Sequence, residues 1–282
     1  MAAKTYDCFT FFDELDLLEI RLHHLWEYVD FFVLVEGDHT FRGQPKPFVY
    51  AENRSRFAWA EAKIIHVRKQ FDIRGLNFAR ATRFTQNDDN WRMEHNQRNA
   101  ILDGLGSAAP EDIILISDVD EIPSHFVMRL IHRLLGEFPR LAFQQQLHRY
   151  FLDYKMVADA NNQECINSTV VTQRQYLLTP EEERAQRYKL PFLKDGGQHF
   201  SYLGGLNKIV QKLESFSHSE YDTDYFKDKT RIRQRILAGK ALHSDQEQFV
   251  RYAVESDPHY PPFIIKNRDR YYHLFYSEEN IA

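Results

Sequence analysis

The first half of the chain alternates short apolar runs with stretches whose apolar residues recur at helical spacing. That alternation restricts it to βαβ units feeding a mostly parallel sheet with helices packed on its faces. Residues 6–12 read as a strand, and residues 14–28 carry Leu17, Leu18, Ile20, Leu22, Leu25 and Trp26 at helical intervals. Residues 29–36 are nearly all apolar, as in a strand covered on both sides. Gly37, Gly43, Pro45 and Pro47 make residues 37–47 a loop leaving that strand. Residues 62–67 form a third strand, residues 91–105 a helix closed by Gly104, Gly106 and Pro110, and residues 125–135 another helix. The most apolar strand, residues 112–117, runs Ile-Ile-Leu-Ile straight into acidic residues.

Beyond Arg140 the texture changes. Residues 141–152 and 164–173 have strand character with many polar and aromatic side chains, which predicts antiparallel additions to the sheet. Residues 179–187 read as a charged helix or loop, residues 196–205 are glycine-rich, and residues 222–242 read as one charged helix. Without an internal repeat or an obvious linker, the expectation is one α/β domain over residues 1–282.

Composition narrows the function. The net charge of −5, from 36 basic and 41 acidic residues, includes no basic stripe of the kind that grips nucleic acid. Cys8 and Cys165 stand alone, so two reduced thiols are expected rather than a disulfide framework or a zinc site. No signal peptide or 18-residue apolar span is apparent, which predicts a cytoplasmic protein that touches the inner face of a membrane without inserting.

Open α/β sheets bind ligands beyond the carboxyl ends of their strands, where Asp118, Asp120 and Glu121 fall. Two carboxylates in an Asp-x-Asp pair supply hard oxygens suited to Mg2+ or Mn2+ on a pyrophosphate. The alternative is the polar start of a helix capped by Ser124. A buried strand leading into three acids favours the metal, since unpaired buried carboxylates are costly.

The run Asp118-Val119-Asp120-Glu121-Ile122-Pro123 resembles the DxDEIP signature of glycosyltransferase family 17. Agreement continues through residues 12–21, Val35-Glu36, residues 41–47, His199 with Ser201, Asp228-Lys229 and residues 266–270, nearly the whole chain. The resemblance implies a GT-A-like fold and inverting transfer of a sugar, GlcNAc in characterised relatives, from a UDP-sugar to a glycan or lipid-linked saccharide. Gly197-Gln198-His199 departs from the Gly-Trp-His of vertebrate-type relatives, which removes an aromatic surface.

Individual candidates follow. Glu36 is a donor-site carboxylate, a helix cap or a loop partner of Arg42, and Arg42 and Lys46 are phosphate ligands or solvated loop charges. Glu94 and Arg98, on one helix face with Trp91, are an ion pair or part of the donor site. His199 is a structural histidine or the ligand that joins Asp118 and Asp120 on the metal, with His218 as its rival. An inverting transfer also needs a general base. Asp195 is taken first because it adjoins the glycine turn, then Glu121, ahead of Glu164 and Glu220. Lys208 and Lys212 are diphosphate partners or solvated charges. The rival functions are a metal-dependent nucleotidyltransferase or phosphohydrolase, and a non-catalytic glycan-binding protein.

Overall fold

A computed structural model describes residues 2–85, 88–159, 161 and 163–281. Its elements run β1 (Thr5–Phe11), α1 (Leu15–Leu25), β2 (Phe31–Gly37), α2 (Val49–Glu52), β3 (Ile64–Lys69), α3 (Asp89–Asn99), β4 (Ile113–Asp118), β5 (Glu121–Pro123) and α4 (His125–Leu134). There follow β6 (Arg140–Arg149), β7 (Tyr154–Ala158), β8 (Cys165–Gln173), α5 (Pro180–Ala185), β9 (Phe192–Leu193), β10 (Gly197–Ser201) and α6 (Gly205–Ser215). The chain ends with α7 (Asp224–Lys227), α8 (Lys229–Leu237), β11 (Gln248–Arg251) and α9 (Pro262–Lys266).

The strands join one sheet in the order β11-β7-β6-β8-β4-β1-β2-β3, with β10 bridging β5 and β6 and β9 beside β6. The four central strands β3, β2, β1 and β4 pair in parallel. β8 pairs antiparallel with both β4 and β6, so the polar, aromatic strands after Arg140 extend the sheet as their composition predicts. The result is the GT-A-like architecture expected.

Strand alternation divides the central core. Phe9, Phe11, Ile113 and Leu115 face Leu18 and Leu22 of α1 and Val127, Met128 and Ile131 of α4. Tyr6, Cys8, Ile114 and Ile116 face the opposite way onto Ala100, Ile101 and Leu105. Cys8 is buried and Cys165 half-buried, both free thiols. No helix among the described residues is long and apolar enough to cross a membrane.

Residues 222–242 are not one helix. Thr223 accepts from the Phe226 amide to cap α7, and Asp228 accepts from the Arg231 amide to cap α8. Two side-chain caps so close together restart the helix instead of continuing it. Residues 91–105 likewise split, α3 ending at Asn99 and a tighter 3₁₀ turn following to Gly104.

The sequence of strands moves outward from β1 through β2 to β3, then returns to place β4 on the other side of β1. This reversal is a topological switch point, which opens a crevice between the carboxyl ends of β1 and β4. Thr10 and Asp118 face each other there in register.

Candidate active site

Asp118 is the last residue of β4, and the Thr10 hydroxyl donates to its Oδ1 at 2.8 Å. The chain then turns into β5, which pairs antiparallel with β10 and sets His199 opposite Glu121. The Phe200 amide donates to the Asp120 carbonyl at 2.8 Å. Gly197 makes this approach possible: its φ is +121°, and a Cβ there would stand 2.1 Å from the Ile122 carbonyl oxygen. Two segments nearly 80 residues apart are thereby locked together, and His199 is delivered to Asp120.

Beneath the turn lies Arg21 of α1, fully buried and paired with Asp7. Its Nη1 donates to the carbonyls of Asp118 (3.1 Å), Val119 (3.3 Å) and Glu121 (2.7 Å), and its Nη2 to Ser117 Oγ (2.6 Å). A turn that exposes its carbonyls inward would otherwise leave them unsatisfied, and this guanidinium satisfies three of them.

Both Asp118 oxygens are occupied. Oδ1 also accepts from Arg98 Nη2 at 3.2 Å, and Oδ2 accepts from Arg184 Nη2 at 3.0 Å. Burial alone would raise its pKa, but Arg98 and Arg184 hold the carboxyl far below the usual carboxylate range. Arg98 further pairs with Glu94 and Glu181, and Arg184 with Glu121 and the Ser168 carbonyl. Glu121 is 1% exposed, and its Oε2 accepts from the Asp118 amide.

Asp120 is less tightly held. Its Oδ2 faces His199 Nε2 and Lys212 Nζ, each at 3.6 Å. Burial raises the Asp120 pKa, and the charges of His199 and Lys212 reverse that and leave it below the usual value. Burial likewise works against the charge on His199, yet the Asp120 carboxylate outweighs it and raises the imidazole pKa. Glu14, at the foot of α1, joins this side: burial and then Asp13 raise its pKa, with Lys212 opposing.

Glu94, Arg98, Asp118, Asp120 and His199 line one cavity of about 620 Å³ at the switch point, within the range of small-ligand sites. Trp91, His218 and Lys212 line it too. The other candidates lie elsewhere. Glu36 is fully buried, accepting from the Val49 and Tyr50 amides at the start of α2, from Lys46 Nζ (3.2 Å) and from His66 (3.1 Å). It anchors α2 and the loop, away from the cavity wall. Arg42 turns to Asp222 at 3.5 Å. Glu121 sits behind the cavity, neutralised by Arg184, which removes it as a base. Asp195 points outward: its side chain is 59% exposed, with His259 at 3.9 Å. Its closeness to His199 in sequence does not survive the extended run of β10. Gln198 alternates away from His199, accepting from His148 Nε2 at 2.7 Å and donating to Asp257 at 3.0 Å. The departure from Gly-Trp-His therefore changes packing behind the strand rather than a sugar-stacking surface.

The sequence reading passed over Arg184, Glu181 and Glu14. Glu14 follows β1 directly, so the crevice rule that selected Asp118 reaches it equally. Arg184 has no local signal, since α5 meets Asp118 only through the fold, 66 residues on.

A divalent metal fits part of the expected set. Asp118 carries an arginine on each oxygen, so an ion bound there would compete with Arg98 and Arg184. Asp120 Oδ2 and His199 Nε2 face each other across 3.6 Å and remain as a carboxylate and an imidazole donor. Among the described residues no group of three or more His, Cys, Asp or Glu is placed to hold a metal ion. One carboxylate with substrate phosphates and water is a usual setting for Mg2+, and an imidazole beside it suits a transition-metal ion such as Mn2+ better than Mg2+.

The sequence model of glycosyltransferase family 17 matches residues 1–275. The chain belongs to glycosyltransferase family 17. Two relatives of this family 17 chain are named beta-1,4-mannosyl-glycoprotein 4-beta-N-acetylglucosaminyltransferase. The Homo sapiens protein is 24% identical over 292 residues, covering 93% of this chain and 53% of the relative. The Rattus norvegicus protein is 23% identical, covering 93% and 52%. The chain thus spans about half the length of the curated relatives it matches. A solved structure described as 4-diphosphocytidyl-2C-methyl-D-erythritol synthase aligns with 70% of this chain and 90% of its own, at 12% identity and a TM-score of 0.38.

Proposed function

We propose that the switch-point cavity binds a UDP-sugar, UDP-GlcNAc by analogy with the named relatives, and transfers its sugar with inversion to a glycan hydroxyl. The β-1,4-mannosyl glycoprotein in the relatives' name supplies the first acceptor class to test. The observation that carries this reading is the asymmetry of the acidic turn. Asp118 is locked by two arginines, while Asp120 stands open to His199 and Lys212 on the wall of the cavity.

Asp120 and His199 would hold Mn2+ or Mg2+, and Lys212 would face the diphosphate beside them. The ion, when bound, supplies charge neutralisation for the departing nucleoside diphosphate. Trp91, Phe84 and His218 cluster at the cavity wall, with Trp91 and His218 rings 4.8 Å apart. Among the described residues the Trp91 indole Nε1 is buried without a partner, a donor that a nucleotide could satisfy if the ring turned toward the cavity. A buried donor left unmade is costly, and a ligand oxygen removes that cost.

Calorimetric titration of UDP in the presence of Mn2+ and in EDTA tests the reading. UDP affinity should rise when Mn2+ is present. Equal affinity in both would remove the metal from Asp120 and favour a glycan-binding protein without metal-linked nucleotide recognition.

A further inference from the structure

A second cavity, of about 380 Å³, opens on the other side of Asp120, over Asp13, Asp16, Arg56, Tyr202 and Lys208. Among the described residues only Phe12, Glu14, Asp120 and Lys212 line both cavities, so these four residues form the partition between them. We propose that this second cavity seats a neutral saccharide acceptor, and that Glu14 on the partition takes the proton from the attacking hydroxyl. The inference rests on the donor reading above and adds the acceptor side and the base.

Three observations support it. First, the acids peculiar to the second cavity are already matched: Asp13 accepts from Lys208 Nζ (2.6 Å) and Gln211 (3.0 Å), and Asp16 pairs with Arg56 (2.5 Å) and His273 (2.8 Å). Among the described residues the cations peculiar to this cavity, Arg56, Lys208 and His273, are all paired, and Lys212 is shared with the donor side, so the second cavity has no free cation of its own for an anionic ligand. Carboxylate and ammonium groups held in place, beside the apolar faces of Tyr202, Leu203 and Leu274, suit the hydroxyls and C–H faces of an uncharged sugar.

Second, Glu14 is the partition carboxylate with spare capacity. Its Oε2 accepts from the amides of Phe12 (3.1 Å) and Asp13 (3.0 Å), which fixes its orientation. Among the described residues no hydrogen bond reaches Oε1. Third, the other candidate bases are placed elsewhere: Glu121 is neutralised by Arg184 behind the wall, Asp195 points to solvent beside His259, Glu164 is exposed and Glu220 is engaged by His218, and none of the four lines either cavity.

The step balances. The acceptor O–H proton passes to Glu14, and the acceptor oxygen forms the new bond to the anomeric carbon. The bond from that carbon to the diphosphate oxygen breaks, and its electron pair leaves on UDP. Glu14 later returns its proton to solvent.

The test measures UDP release from UDP-GlcNAc by the full chain, with water or a glycan bearing a β-1,4-linked mannose as acceptor, alongside UDP titration with Mn2+. Glu14→Gln should lower kcat by about 100-fold or more while UDP affinity stays within about twofold, and Glu14→Asp should recover part of the rate. A Glu14→Gln enzyme with kcat close to wild type overturns the base. Leu203→Trp, which fills the second cavity, should raise the glycan KM about tenfold with UDP affinity unchanged; an unaltered KM overturns the acceptor assignment. Should Glu14→Gln lose UDP binding through misfolding, Leu203→Trp decides alone. Wild-type protein that neither binds UDP nor releases it would sink the donor reading itself, a result distinct from normal turnover in the two variants.

Discussion

The Asp118 side of the cavity and the Asp120 side are built from residues two positions apart, yet they are opposite in construction. Around Asp118, two buried arginines and four carboxylates interlock, with most polar atoms engaged. Around Asp120, the charges stand 3.6 Å apart and both cavities meet. The difference separates two tasks that one acidic motif suggests to the eye. The first acid is compensated at close range by two arginines, and in the proposed function the second is the one whose surroundings a ligand completes.

The comparison can be broken most severely at Arg184. Arg184→Ala leaves the buried Glu121 carboxylate without its cation and Asp118 with Arg98 alone, and removing one partner of a buried pair costs roughly 3–5 kcal/mol. Chemical denaturation should show that loss, whereas a change as small as a surface substitution would mean the network is not the framework. Next in size is Asp120→Asn, on the open side. It should lower kcat by about 100-fold or more, since a bound ion contributes several kcal/mol to the transition state. Thermal melting should be little altered, and retained turnover would place the ion elsewhere.

The effect smallest near neutral pH, and growing only with acid, concerns the layer behind the open side. His24 donates to the Pro123 carbonyl at 3.0 Å and His148 to Gln198, which holds β5 and β10 from beneath. Burial, with His125 adding to it for His24, lowers both pKa values to about 3. The folded protein keeps both rings neutral, while the unfolded chain protonates them near the ordinary histidine value. Stability is therefore complete above that value and falls as pH drops from about 6.5 toward 3, by up to about 1.4 kcal/mol per pH unit for each histidine. Denaturation midpoints across that range measure the slope. His148→Gln should make it shallower, and an identical slope would discharge His148 from the effect.

Much of the scaffold was legible because its signals are local. Apolar runs of strand length and the helical spacing of Leu18, Leu22 and Leu25 declare the central sheet and α1 without reference to anything distant. The residues Glu94, Arg98, Asp118, Asp120 and His199, which share one cavity, were picked out on separate grounds: the crevice rule for the two aspartates, a shared helix face for Glu94 and Arg98, and the family resemblance for His199. What was not legible depends on which way a side chain turns after the chain has folded. Glu36 reads equally as a helix cap or a donor-site acid, and only the fold selects the cap on α2; Asp195 occupies a promising position in sequence, yet it faces solvent. Arg184 shows the converse, an ordinary arginine in a charged stretch until α5 brings it against Asp118.

Arg21 gives the acidic turn a property beyond its shape. Its guanidinium ties three turn carbonyls to Asp7 in the middle of the sheet, so the turn cannot loosen without exposing a fully buried ion pair. Opening of residues 118–121 is thus coupled to unfolding of the core rather than to local fraying, in the sense that separates cooperative units of a protein. The turn meets its ligand already ordered, and association loses little conformational entropy there.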